Sequence, residues 1–170
     1  SSGTLDSVTG VYAAGPNSGV IDLVQADDGA GLYGRACVNV ISPEDVSAAG
    51  KAIVLAGRRN GADPLWPITD YLADQSYRTL RYRGFAKDNI QYLSPVTGKD
   101  VDGNGLADDI HGLSTLANAG ESITNWPADA DRLFLHLIDH GGDTEGAGYF
   151  RLSEQEVLTA VQLDAWLDAL

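Results

Sequence analysis

RLFLHLIDHGGDTEGAGYFR, residues 132–151, is the stretch whose reading decides the fold. An apolar run ends abruptly in Asp139-His140-Gly141-Gly142. A nearly continuous apolar run of this length predicts a strand buried on both faces, as strands of parallel sheets are. The glycines that follow predict a turn, and residues 149–152 predict a short return strand. His140 then stands at the carboxyl end of a strand, where open α/β sheets bind their ligands.

Working outward, Lys51–Ala56 (KAIVLA) is a second short apolar run with glycine on either side, and it predicts a central strand. It empties into the loop Gly57-Arg58-Arg59-Asn60-Gly61, so two strand ends are expected to converge on one crevice. Residues 64–83 read as an amphipathic helix. Asp63 is its expected cap, Leu65, Ile68 and Leu72 supply helical spacing, and Gly84 stands where helices end. Residues 89–93 predict a strand, residues 113–125 a helix, and residues 159–170 a further helix. Strands alternating with helices predict an α/β domain with a mostly parallel central sheet over residues 51–170. Trp66, Trp126 and Trp166 read as packing anchors. Residues 1–50, rich in Ser, Gly, Asp and Ala, read instead as a β-rich lead-in or the tail of an upstream domain, with the boundary over residues 42–50.

The chain has 170 residues, 44% of them hydrophobic and 21% charged, which is the composition of a folded domain. No apolar stretch is long enough to cross a membrane, and no secretory signal pattern opens the chain. Methionine is absent even at position 1, which suggests a piece of a longer precursor. A net charge of −13 opposes binding to nucleic acid and to anionic membranes. It agrees with calcium and with an extracellular or cell-surface setting. The single cysteine, Cys37, forms no internal disulfide and is expected to be a small buried apolar residue.

Between the second and third strands lies DVDGNGLADD, residues 100–109. Asp100, Asp102, Asn104 and Asp108 recur at positions 1, 3, 5 and 9 of the loop. Gly105 supplies a sharp turn, and the Leu106 carbonyl falls at position 7. Oxygen ligands at alternate positions of a curled loop suit Ca2+, a hard cation that takes six to eight oxygens. The loop departs from an EF-hand at position 12, where His111 stands in place of glutamate. It is similar to the short Asp-x-Asp-x-Asn-Gly-x-x-Asp calcium loops found outside EF-hands. The expected role of the ion is structural, and a solvated acidic turn is the alternative.

A histidine at a strand end can exchange a proton near neutral pH, and the Gly141 N–H beside it can hold an oxyanion. A turn histidine with no chemistry is the competing reading. His136 shares a face with His140 but lies about 13 Å away along a strand, too far to share a zinc ion. Asp139 reads as a residue that orients His140, caps the following turn or lies in solvent; adjacent strand residues face opposite ways, which favours the last two, and Arg58 and Arg59 are either substrate-facing or solvated.

The run FLHLIDHGG (residues 134–142), followed by GYFRL (148–152), resembles the histidine motif of legumain-like cysteine peptidases, within the caspase-like superfamily. IVLAGRRNG (53–61) resembles that family's first strand and Asn-Gly turn. Residues 70–95 resemble its next helix and strand, residues 162–170 resemble the helix after the histidine loop, and the Asp-rich loop resembles an insertion of bacterial members. The resemblance implies a caspase-like three-layer sandwich around a mostly parallel sheet, truncated after the histidine-bearing strand and its following helix. It implies His140 as catalytic histidine, Gly141 as oxyanion donor and Asn60 as the residue orienting the histidine. It also implies a peptide or protein substrate and the rest of its own peptidase domain as partner. The family's nucleophile block, an Ala-Cys-x-Ser-Gly strand end, comes after the histidine. Cys37 precedes it and is not assigned that role, so the chain alone is expected to be inactive, with an exposed sheet edge where the nucleophile strand would pair. The rival expectation is a non-catalytic, calcium-stabilised interaction module of a secreted multidomain protein.

Overall fold

A computed structural model describes residues 3–40, 42, 50–144 and 146–170, so most of the boundary expected over residues 42–50 lies outside the described residues. The chain is mixed α/β, with a small parallel three-stranded sheet packed against helices and separate antiparallel sheets. β1 (Thr4–Leu5) pairs with β2 (Tyr12–Ala13), and β3 (Val20–Asp27) pairs with β4 (Tyr33–Val40) in a long antiparallel hairpin. The hairpin turn is held by Asp27 and Asp28, whose carboxylates accept the Gly29 (2.7 Å) and Ala30 (2.8 Å) N–H groups.

Cys37 corrects an expectation, because it is exposed. It lies opposite Leu23 on a hairpin face that also carries Ile21, and among the described residues no layer covers that face; Ile21 and Leu23 are 59% and 57% exposed. The Asn39 amide ties the hairpin to the carbonyl of Tyr82 at 2.7 Å.

The parallel sheet has the order β6-β5-β7, with β5 (Lys51–Ala56) between β6 (Ile90–Leu93) and β7 (Leu133–Ile138). From Ala52 to Ala56, β5 is wholly buried, and its alternating side chains serve two cores. Ala52, Val54 and Ala56 pack with Ala73 and Tyr77 of α1 (Trp66–Tyr82), together with Phe85 and Tyr92. Leu55 packs with Ala119 of α2 (Leu116–Thr124), with Leu152 and Leu158, and with Leu163 and Trp166 of α3 (Ala160–Leu167).

Each helix has a local cause. α1 carries Pro67 in its first turn and stops at Gly84, whose φ of 97° lets the chain reverse. Its buried stripe is Thr69, Ala73 and Tyr77. Ile68 and Leu72, which give the sequence its helical spacing, sit on the flank at 50% and 47% exposure. Thr159 and Gln162 form a reciprocal capping box at the start of α3.

The two edges of the parallel sheet differ. Beyond β6 the chain returns alongside. His111 N–H donates to the Tyr92 carbonyl at 2.8 Å, and Ser94 N–H donates to the Gly112 carbonyl at 3.0 Å. β7 pairs only with β5 among the described residues. Lys51 N–H reaches the Arg132 carbonyl (2.9 Å), and Gly57 N–H reaches the Ile138 carbonyl (3.0 Å). The even-numbered residues of β7 therefore face β5, and the N–H and C=O groups of Leu133, Leu135 and Leu137 point outward.

The expectation that β7 is covered on both faces is corrected here: its side chains alternate between half-buried and exposed, and Phe134 is 52% exposed. An apolar run suits a central strand, but in this sheet β5 holds the centre. After β7 come β8 (Gly141–Thr144), β9 (Ala147–Arg151) and β10 (Val157–Thr159), in the antiparallel order β10-β9-β8.

Candidate functional site

β5 and β7 run in register to Ala56 and Ile138, so both strands end at one rim of the sheet. The approach there is close. A Cβ on Gly57 would stand 2.0 Å from the Arg151 carbonyl oxygen and 2.7 Å from Asp139 Oδ2, so only glycine lets the two chain ends meet.

His140 follows directly and is exposed. Its carbonyl accepts the Arg151 N–H at 3.0 Å. That bond makes Gly141 and Phe150 a non-hydrogen-bonded pair of the β8–β9 ladder, which turns the Gly141 N–H away from β9. The next residue, Gly142, lies under the Tyr149 ring, where a Cβ would meet the phenol oxygen at 2.4 Å.

Asn60 sits in the turn after β5. Its Oδ1 accepts the Ala62 N–H (3.0 Å), and its carbonyl accepts the Asp63 N–H (3.2 Å), a local Asx turn. Its side-chain oxygen is thus already engaged, and Asn60 lines a cavity of about 330 Å³ with Arg58, Arg59, Ser114 and Glu156.

The group that this turn brings within electrostatic reach of His140 is Asp63. Backbone N–H groups of Arg59 (2.9 Å) and Leu65 (3.0 Å) hold the Asp63 carboxyl below the usual range, and positive charge on His140 and Arg58 adds to the effect. Asp139 behaves oppositely. Burial raises its pKa against the His140 N–H and the charges of His140 and Arg151, and its Oδ2 is buried without a hydrogen-bond partner among the described residues. Asp63 was legible in the sequence only as a helix cap, and Asp139 as a residue that orients His140, caps the turn or lies in solvent, not as a carboxylate with a buried oxygen. The register that sets both beside the rim is a tertiary fact.

The other singled-out residues are structural or peripheral. Arg58 lines the same cavity as Asn60 and is held on one side by its neighbours. Its guanidinium lies 5.1 Å from the Trp66 ring centroid and donates to the Gly61 carbonyl at 2.7 Å, while Arg59 is exposed. His136 is exposed in an apolar groove of about 700 Å³ between β7 and α1, lined also by Leu72, Thr79 and Phe134. Trp166 packs against Gly120, where a Cβ would meet it at 3.1 Å, and Trp126 lies under Lys51 Nζ at 4.8 Å.

In the acidic loop, carboxylate oxygens of Asp100, Asp102 and Asp109 lie within 4.8 Å of one another. Asp100 accepts the N–H groups of Gly103 (2.8 Å), Asn104 (3.0 Å) and Gly105 (2.8 Å), which curls the loop around it. Asn104 Oδ1 accepts the Leu106 N–H at 2.7 Å. The Asp108 carboxylate is paired with Lys87. Its neighbour Asp109, buried, joins Asp100 and Asp102 instead and accepts from Tyr77 (2.7 Å), Val101 N–H (2.6 Å), Asp102 N–H (2.9 Å) and Lys87 (2.7 Å). Burial pushes the Asp109 pKa up, but the Lys87 ammonium, the Tyr77 hydroxyl and the two backbone donors outweigh it and hold it at about 2. All-oxygen donors of this kind fit a hard divalent cation, and exposed carboxylates also stand without one.

No family model matches the chain, and no curated protein or solved structure is significantly similar to it.

Proposed function

We propose that this chain is the histidine-bearing part of a legumain-like cysteine endopeptidase domain, with its parallel sheet as the middle layer of a caspase-like three-layer sandwich. The observation that carries the reading is the rim itself. His140 leaves the end of a parallel strand, and the next residue turns a free-facing Gly141 N–H away from the β8–β9 ladder. In this reading a thiolate attacks the scissile carbonyl, His140 protonates the leaving amine, and the Gly141 N–H holds the oxyanion. Cys37 belongs to the separate β3–β4 hairpin, so the thiol is assigned to a strand added along the outward-facing edge of β7. Asn60 acts through its turn: with its oxygen bound to Ala62, it places Asp63 near His140 and makes no direct orienting bond through Oδ1.

The test is cleavage of a peptide substrate by the full-length protein that carries this chain. His140→Ala should abolish turnover and leave the folded circular dichroism spectrum unchanged. Retained turnover overturns the assignment. A second reading, a non-catalytic interaction module, is favoured by the bare β7 edge and the adjoining apolar groove. A parent sequence with no cysteine-bearing strand to pair with β7 would select it.

Calcium in the acidic loop belongs to both readings, as a structural ion that ties residues 100–109 together. Titration calorimetry with calcium chloride should give binding heat that Asp100→Ala plus Asp102→Ala removes. Equal heats in both proteins would remove the ion from either reading.

A further inference from the structure

The sequence holds two Asn-Gly pairs, Asn60-Gly61 and Asn104-Gly105. Such pairs are where an asparagine can lose its amide spontaneously, because glycine leaves the following peptide nitrogen unhindered. Both asparagines form the same Asx turn, with Oδ1 bound to the N–H two residues on, at 3.0 Å for Asn60 and 2.7 Å for Asn104. That turn folds the side chain back over the next peptide and polarises its carbonyl carbon. Exposure alone would make Asn104 the labile one, since it is exposed and Asn60 is half-buried.

The attacking nitrogens differ. Gly105 N–H donates to Asp100 Oδ2 at 2.8 Å, which fixes the nitrogen and sets an anion against the charge it must develop. Its φ of 88° is also locked into the curl of the acidic loop. The Gly61 N–H has no acceptor among the described residues, and no atom stands within 4 Å of where a Gly61 side chain would begin. A cation stands at the same residue: Arg58 donates to the Gly61 carbonyl at 2.7 Å. The Asp63 carboxylate in the same turn is spent on the N–H groups of Arg59 and Leu65.

We propose that Asn60 is a spontaneous modification site, converting to aspartate and isoaspartate in the folded protein, and that the acidic loop protects Asn104 from the same fate. The Gly61 nitrogen gives its proton to solvent base and bonds to Asn60 Cγ. The Cγ–Nδ2 bond breaks, and Nδ2 takes a proton from water and leaves as ammonia. Water then opens either carbonyl of the cyclic imide. The product places a second carboxylate in the turn that carries Asp63, and the isoaspartate form lengthens the backbone there by one carbon. This inference stands on the two turns and does not depend on the peptidase reading.

The test is incubation of the purified protein in mildly alkaline buffer, followed by peptide mapping with mass spectrometry and an isoaspartate-specific methyltransferase assay. The same incubation in denaturant gives the intrinsic rates of the two pairs. Asn60 should convert several-fold faster than Asn104 in the folded protein, and the two should converge in denaturant. Gly61→Ala should slow conversion at Asn60, and Asp100→Ala should speed it at Asn104. Equal folded-state rates, faster conversion at Asn104, or an unmodified Asn60 would each overturn the proposal.

Discussion

The Tyr77 hydroxyl donates to Asp109 Oδ1 at 2.7 Å, which joins the buried stripe of α1 to the far end of the acidic loop. Burial, with the Asp109 carboxylate as the next cause, raises the pKa of the tyrosine well above its usual value, so it remains a donor throughout the working range. The same carboxylate takes two backbone N–H groups and Lys87, which makes it the anchor of residues 100–109.

Asp109 should therefore carry an acid-labile part of the stability. Its pKa is about 2 in the folded chain against 3.8 for the unpaired group. A lowered folded pKa contributes stability that is fully present above 3.8 and is lost as pH falls through about 2. Asp109→Asn should cost about 2 kcal/mol near neutrality and much less in strong acid. Urea unfolding of both proteins across that range measures the difference. A pH-independent cost would show that the ion pair is not the cause.

Asp139 has the opposite sign. Its folded pKa is raised above 3.8, so its contribution is fully present below that value and is lost as pH rises through the folded pKa. Asp139→Asn should raise the unfolding temperature at neutral pH, with the gain fading as the buffer is acidified towards 4. A loss of stability at neutral pH would mean that the buried Oδ2 has a charged partner in solution.

The outward groups of β7 give a third expectation. Leu135→Pro removes an N–H that points away from β5, so the β5–β7 ladder keeps its bonds. The substitution should blunt strand addition at that edge and reduce self-association on gel filtration at micromolar concentration. A variant that unfolds would show that Leu135 N–H faces β5. Unchanged self-association would mean that the edge is not where copies meet.

The alternation of strand and helix was legible because β5, β6 and the helix starts carry strong local signals: apolar runs, a proline in the first turn of α1, a glycine after it. KAIVLA was legible as the central strand, and β5 holds that place; what the sequence could not reveal was that LFLHLI is not covered on both faces. KAIVLA and LFLHLI look alike, and only the pairing order leaves Phe134 half in solvent. The acidic loop was legible as a ring of oxygens. Its geometry depends on Lys87, which draws off Asp108, and on Tyr77, which helps draw in Asp109, and both lie far away in sequence. Asn60 was visible as the residue of an Asn-Gly turn, but its bond to Ala62 was not.

The returning chain at residues 110–114 has a consequence for growth of the sheet. It occupies the outer side of β6, whereas β7 has no second partner strand among the described residues. A strand added along β7 extends the rim on which His140 stands, so the sheet has a built-in polarity: one flank carries its own returning chain, and the other leads to the histidine.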